Sequence, residues 1–237
     1  PFNQTAGLTT IEAGGAATAS LLGFSNDPAQ WVVGKFNRAL NFDGVASHVS
    51  VDNFTGILGA SNRTVAAWVK TTSAGQLPVI AWGPNSTGAK WTFLVQNGHV
   101  RIEVTSGYLE GTRVVNDGNW HHVACTFASD GTPDVTEAKL YVNGTVETSF
   151  AASAARTVNT TASGTAKLGT DIQARLFVGQ MDEPRIYNRA LSAAEILALA
   201  TATNQSAAAW HRRHFGTNAL NWPADDDGDG GTRLLEY

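Results

Sequence analysis

The sequence predicts an all-β fold, an antiparallel sandwich of two sheets, and three observations carry that reading. About a dozen short runs rich in Val, Ile, Thr, Phe, Tyr and Trp recur at near-regular spacing. Turn residues separate them, and two of the turns are Asn-Gly pairs, Asn97-Gly98 and Asn143-Gly144, which accept the two positive-φ positions of a type I′ hairpin. Before Ser192 almost nothing has the 3.6-residue apolar period of a helix. A chain of 237 residues is long enough for one large β domain with a substantial core. The charged share of 15% is low against about 25% in an average domain, and Gly, Thr, Ser, Asn and Ala fill the difference.

Taken in order, residues 1–36 are Gly- and Ala-rich and read as a short first strand and a long loop, with Leu21, Leu22 and Phe24 as the candidate buried patch. Strands are predicted over 39–43 and 48–52 around Gly44, then over 64–71 and 77–82. The hairpin over Asn97-Gly98 joins 90–96 to 99–105, after which a Gly-rich connection carries Tyr108. Asp117-Gly118 turns the chain into 120–127, where the single cysteine, Cys125, reads as a small buried hydrophobe. The second hairpin joins 139–143 to 145–150. Residues 151–165 form a surface loop, and 167–170 leads to the closing strand.

That closing stretch, Phe177 to Ile196, alternates like a strand in its first half. Pro184 cannot donate to a ladder, so the strand is expected at an edge, or with its outer side covered by something other than a strand. In the second half Ser192 and Glu195 form a capping box ahead of Ile196, Leu197 and Leu199, predicting a short apolar helix. The domain is expected to end near Ala200.

Charge and hydropathy exclude some partners. The net charge is −4, and the Lys and Arg residues are scattered singly, leaving no basic stripe for nucleic acid. No run of 18 apolar residues exists, so membrane insertion is not expected.

The strings FDG (42–44), WHHVA (120–124), KLYVNG (139–144) and GQMDEPRIYNRALSAAEI (179–196) resemble the laminin G-like branch of the concanavalin A-like lectin and glucanase superfamily. Strand period alone leaves an immunoglobulin-like pile and a jelly roll open; the resemblance implies the jelly roll, over residues 1–200. It also implies a structural calcium at the sandwich rim, for which Asp43 and Asp182 are the matching acidic positions. The bland alternatives are that Asp43 caps a turn and Asp182 pairs with Arg185 or a backbone amide.

Residues 201–237 read as a helix followed by a calcium-loop tail. Asp225, Asp227, Asp229, Gly230 and Glu236 fit the twelve-residue calcium loop, with Gly231 offering its carbonyl at position seven. Alternate residues of a tight coil aim three carboxylates at one centre, the glycine permits the bend, and the glutamate closes the shell bidentately. Thr232 and Arg233 depart from the usual residues and imply an affinity of the order of 10⁻⁴ to 10⁻³ M. The bland alternative is an acidic, solvated linker. This tail resembles dockerin-like and thrombospondin type 3-like repeats of bacterial secreted proteins. The resemblance implies a calcium cofactor, a secreted or cell-surface location, and membership of a longer multidomain chain.

Sugar binding needs flat aromatic faces and planar polar groups that read hydroxyls. Trp82 and Tyr108 lie at loop edges, and Arg101 and Glu103 share a strand face near them, so these four are the candidate ligand-binding residues. Trp68, Trp91 and Trp120, set within strands, are expected in the core. No catalytic residue is expected: the E-x-D-x-x-E and E-x-D-x-E strand patterns of glycosidases are absent, Asp182 and Glu183 are adjacent, and His121 and His122 point to opposite faces. The leading function is a non-catalytic carbohydrate-binding or adhesion module whose partner is a polysaccharide or glycan. A structural domain that binds protein or assembles a surface layer is the alternative, and a glycoside hydrolase or polysaccharide lyase relative the third.

Overall fold

A computed structural model describes residues 7–11, 18–148 and 150–202. The strands in chain order are β1 (Thr9–Ile11), β2 (Thr18–Leu22), β3 (Trp31–Val33), β4 (Arg38–Asp43), β5 (His48–Val51), β6 (Arg63–Lys70), β7 (Gln76–Trp82) and β8 (Trp91–Gln96). They continue with β9 (His99–Val104), β10 (Gly107–Val114), β11 (His121–Phe127), β12 (Lys139–Val142), β13 (Thr145–Val146), β14 (Phe150–Ala152), β15 (Lys167–Leu168) and β16 (Val178–Tyr187). One α-helix, α1 (Ala193–Thr201), follows. The strands form two antiparallel sheets, the jelly-roll sandwich of the concanavalin A-like fold. The larger sheet runs β1-β2-β5-β15-β7-β8-β9-β10-β14, and the smaller runs β13-β12-β11-β6-β16-β4-β3.

Alternation explains the core. Trp91, Phe93, Val95, Val100, Ile102 and Val104 point inward from the larger sheet and meet Phe42, Val65, Val69, Val123, Cys125, Phe127, Met181 and Ile186 from the smaller. Each such side chain, removed from water, contributes about 1.5–3 kcal/mol. Leu21 joins this core, whereas Leu22, one residue on and therefore on the other face, is exposed. Both Asn-Gly turns form as expected, with φ of 49° and 88° at Asn97 and Gly98 and of 51° and 79° at Asn143 and Gly144.

The closing strand is not at an edge. β16 lies between β6 and β4, and Pro184 is accommodated by a bulge: the register against β6 shifts between Asp182 and Arg185, and Glu183 takes a φ of 47°. On its other side the pairing with β4 ends at Met181, so Pro184 faces no partner strand there. Ser192 and Glu195 cap α1 reciprocally. Its Ile196 and Leu199 pack on Ala66, Ala124, Tyr141 and Tyr187, covering part of the outer face of the smaller sheet.

Candidate functional site

The outer face of the larger sheet carries a cleft of about 520 Å³ between β9, β10 and two loops. Register builds its floor. Glu103 on β9 stands opposite Thr92 on β8 and Tyr108 on β10, and Arg101 stands opposite Leu94 and Glu110. Diagonal neighbours on one face are within reach of long side chains, and the Arg101 guanidinium lies 3.7 Å from the centroid of the Tyr108 ring. Its Nη1 donates to Glu110 Oε2 at 3.2 Å.

The loop between β15 and β16 supplies one wall. Asp171 accepts from the backbone amides of Gln173 and Arg175 at 3.1 and 3.2 Å, and Ala174 turns with a φ of 56°. This self-bonded turn delivers Arg175 to Glu103 and Gln173 to Lys90. Arg175 Nη2 contacts both Asp171 and Glu103, and Gln173 Oε1 accepts from Lys90 Nζ at 3.0 Å. Lys90, buried at the foot of β8, also donates to Glu103 Oε1 at 2.8 Å. The opposite wall is polar: Thr105 Oγ1 donates to Asn85 Oδ1 at 3.2 Å, and the Tyr108 amide donates to Ser153 Oγ at 2.8 Å.

Electrostatics hold this arrangement together. Burial alone would raise the Glu103 carboxyl, but the hydrogen bonds and charges of Arg175 and Lys90 outweigh it and hold the pKa below the usual carboxylate value. Glu103 is therefore an anchored carboxylate. Asp171, a second carboxylate of the network, is joined to it through the same guanidinium nitrogen, so a cation lies between them. An acid held protonated for leaving-group transfer needs the opposite shift.

Arg101, Glu103 and Tyr108 thus come together. Trp82 does not join them, because at the end of β7 it points inward. It is 3% exposed, stacks on Trp91 with ring centroids 6.1 Å apart, and donates from Nε1 to the Ile57 carbonyl at 3.1 Å. Gly56 packs so close that a β-carbon there would sit 2.2 Å from the Trp82 ring. Trp82 is core, as are Trp68 and Trp91, whereas Trp120 precedes β11 and is half-buried. Lys90, Gln173 and Arg175 were not legible as site residues, since no pattern in Thr170 to Leu176 marks a loop that folds back over the sheet.

Asp43 and Asp182 are held apart. Asp43 opposes Val178, four residues from Asp182 on the same strand, a separation of about 13 Å. Asp43 Oδ1 accepts from the amides of Val45, Ala46 and Ser47 and from the Ser47 hydroxyl, so it caps the turn after β4. Burial works against its charge, yet these amides hold its pKa far below the usual range. Asp182 is wholly buried and accepts from the backbone amides of Phe36 and Glu183 at 2.9 and 2.8 Å. Burial, with the neighbouring charge of Glu183 adding to it, pushes its carboxyl up to about 8. Asp43 is thus engaged by its own turn and Asp182 by backbone amides, and among the described residues no three or more His, Cys, Asp or Glu side chains are grouped to hold a metal ion. His121 and His122 likewise diverge: His121 bonds to Asp117, and His122 packs edge-on to Trp68. The calcium-loop positions Asp225, Asp227, Asp229, Gly231 and Glu236 lie outside the described residues.

A sequence model of the concanavalin A-like lectin/glucanases superfamily matches residues 43–197, more than half of the chain. The chain belongs to that superfamily. The superfamily's fold is shared by binding modules and glycoside hydrolases. No curated protein sequence matches. Among solved structures, domain 4 of AbnA, an extracellular arabinanase of Geobacillus stearothermophilus in complex with arabinotriose, superposes with a TM-score of 0.57 at 21% identity, covering 78% of this chain and 88% of that one. The binding domain of Paraclostridial Mosquitocidal Protein 1 gives 0.56 at 13% identity, over 84% of this chain and 48% of that one. Botulinum neurotoxin type C, whose cell entry depends on two ganglioside molecules, gives 0.53 at 12% identity, over 84% and 51%. The chain spans about half of each toxin structure, and these likenesses establish the fold. No helix among the described residues is long and apolar enough to cross a membrane.

Proposed function

We propose that this superfamily member is a non-catalytic carbohydrate-binding or adhesion module, and that the cleft over β9 and β10 holds the glycan. The observation that carries the reading is the Arg101–Tyr108 pair, a flat, half-buried platform set beside the buried Lys90–Glu103 ion pair. Such a platform offers a sugar an apolar and cationic surface, and anchored polar groups beside it can read hydroxyls without first being ordered. Lys90 Nζ has three protons and donates to Glu103 and Gln173, which leaves a donor for a sugar oxygen. The structural neighbours support a glycan as partner: the arabinanase domain binds arabinotriose, and the type C neurotoxin uses gangliosides.

The depressed Glu103 carboxyl, bridged to Asp171 by Arg175, supports binding over bond cleavage. We further propose that the module is part of a longer bacterial protein acting outside the cell or on its surface. Its tail would take one calcium through the carboxylates of Asp225, Asp227, Asp229 and Glu236 and the carbonyl of Gly231. The motif spacing carries that proposal. A glycan array read in calcium and in chelator, with product release followed on the bound polysaccharides, tests the reading. Retention on at least one glycan without product supports it; product release replaces it with an enzyme, and a silent array with concentration-dependent assembly replaces it with a structural interaction domain.

A further inference from the structure

We infer that, granted the glycan reading of this cleft, Glu103 and Glu110 are specificity-determining residues that restrict it to neutral saccharides. Three cations line the cleft, Lys90, Arg101 and Arg175, and each is matched by a carboxylate, whereas Arg156, at the margin, is exposed and donates from Nε to the Ser106 carbonyl at 3.2 Å. Lys90 Nζ lies 2.8 Å from Glu103, Arg175 contacts Glu103 and Asp171, and Arg101 Nη1 lies 3.2 Å from Glu110 with its Nε 3.4 Å from Glu103. Three positive and three negative groups make this ion-pair network electrically balanced, with Glu103 as its carboxylate in the cleft wall.

The balance is built in and is not an accident of surface side chains. Lys90 and Glu103 have side chains 4% and 9% exposed, and the Asp171 side chain is fully enclosed. Charges so enclosed are weakly screened and cannot swing away to meet a new partner. A carboxylate-bearing sugar entering here would therefore be a fourth anion beside Glu103, with no unmatched cation lining the cleft to receive it. Like-charge juxtaposition of this kind costs several kcal/mol, whereas hydroxyls meet donors and acceptors of both kinds.

The two carboxylates differ in how safely they can be altered. Glu103 holds the wall loop through Arg175, so its removal endangers the fold. Glu110 is at the margin, with its side chain 21% exposed and paired with Arg101. The test uses the whole chain on an array of neutral oligosaccharides and of oligosaccharides bearing uronate or sialate groups, with wild type, Glu110→Gln and Glu103→Gln compared. Wild type is expected to bind neutral glycans only, at least about tenfold above any acidic one. Glu110→Gln, which leaves Arg101 in positive excess, is expected to gain binding to acidic glycans and to make that binding salt-sensitive. A wild type that prefers acidic glycans overturns the inference while leaving a glycan-binding module intact. So does a folded Glu110→Gln with unchanged preference. Silence of all three proteins toward both classes overturns the glycan reading itself.

Discussion

The Arg63 guanidinium lies 5.0 Å from the centre of the Trp91 ring, in a side chain with no exposed surface. A buried cation in the heart of a sandwich is held by what it binds: the carbonyls of Ser61, Ile57 and Gly59 and the hydroxyl of Thr160 all accept from it. Burial lowers its pKa to about 10, which still leaves it charged at neutral pH. Arg63 thus fastens the 57–61 loop and the bridge between Gly59 and Thr160 to the floor of the core. Replacing it with methionine strands several carbonyls and is expected to destabilise the fold by about 3 kcal/mol or more, read by urea denaturation. A loss below about 1 kcal/mol would contradict this role.

Trp82 gives a second stability prediction, and it separates packing from binding. Trp82→Ala should cost about 3–5 kcal/mol in unfolding free energy, as large core truncations do. Gly56→Ala should also destabilise, because its β-carbon meets the Trp82 ring and its φ is 92°. If Trp82→Ala instead leaves stability unchanged and abolishes glycan binding, the indole belongs to the site.

Asp182 predicts a pH dependence. Its folded pKa of about 8 stands above the ordinary carboxylate value. The native state therefore holds a proton that the unfolded chain has released, so the stability this proton contributes is full below about pH 4 and lost as pH rises toward 8. Comparing wild type with Asp182→Asn cancels the other titrations. The wild type should lose at least about 1 kcal/mol relative to the variant between pH 5 and pH 9. A constant gap would show that the carboxylate is already ionised in the fold.

The tail carries a metal prediction. Calcium titration of the full chain should saturate one site with a dissociation constant of the order of 10⁻⁴ to 10⁻³ M. Asp227→Ala and Asp229→Ala should each abolish it, as read by calorimetry. A flat titration of the wild type assigns the acidic run to a solvated linker.

Most strands were legible because their causes are local. Asn97-Gly98 and Asn143-Gly144 force hairpins whatever surrounds them, and Ser192 with Glu195 states a helix start in four residues. β10 was not legible, since Gly107 and Gly111 weaken its period and its pairing partners come from β9 and the distant β14. β16 as a whole is central, yet Pro184 itself keeps to the proline rule: no strand pairs with it on the β4 side, and on the β6 side a bulge with Glu183 in the left-handed region skips the missing donor. In the site, Arg101 and Glu103 were found by face alternation on one strand and Tyr108 as an aromatic at a loop edge, which the structure places on β10. Arg175 and Gln173 come from 72 and 83 residues away from their partners Glu103 and Lys90, and only the folded loop brings them there.

The most direct measurement is the affinity of Arg101→Ala and Tyr108→Ala for whichever glycan the wild type retains, beside Val33→Ser, an exposed change on the smaller sheet. Both cleft variants should bind at least about tenfold more weakly, a loss of about 1.4 kcal/mol, with unfolding midpoints preserved. Val33→Ser should bind like the wild type. Undiminished binding by both folded cleft variants would place the glycan elsewhere and contradict the account.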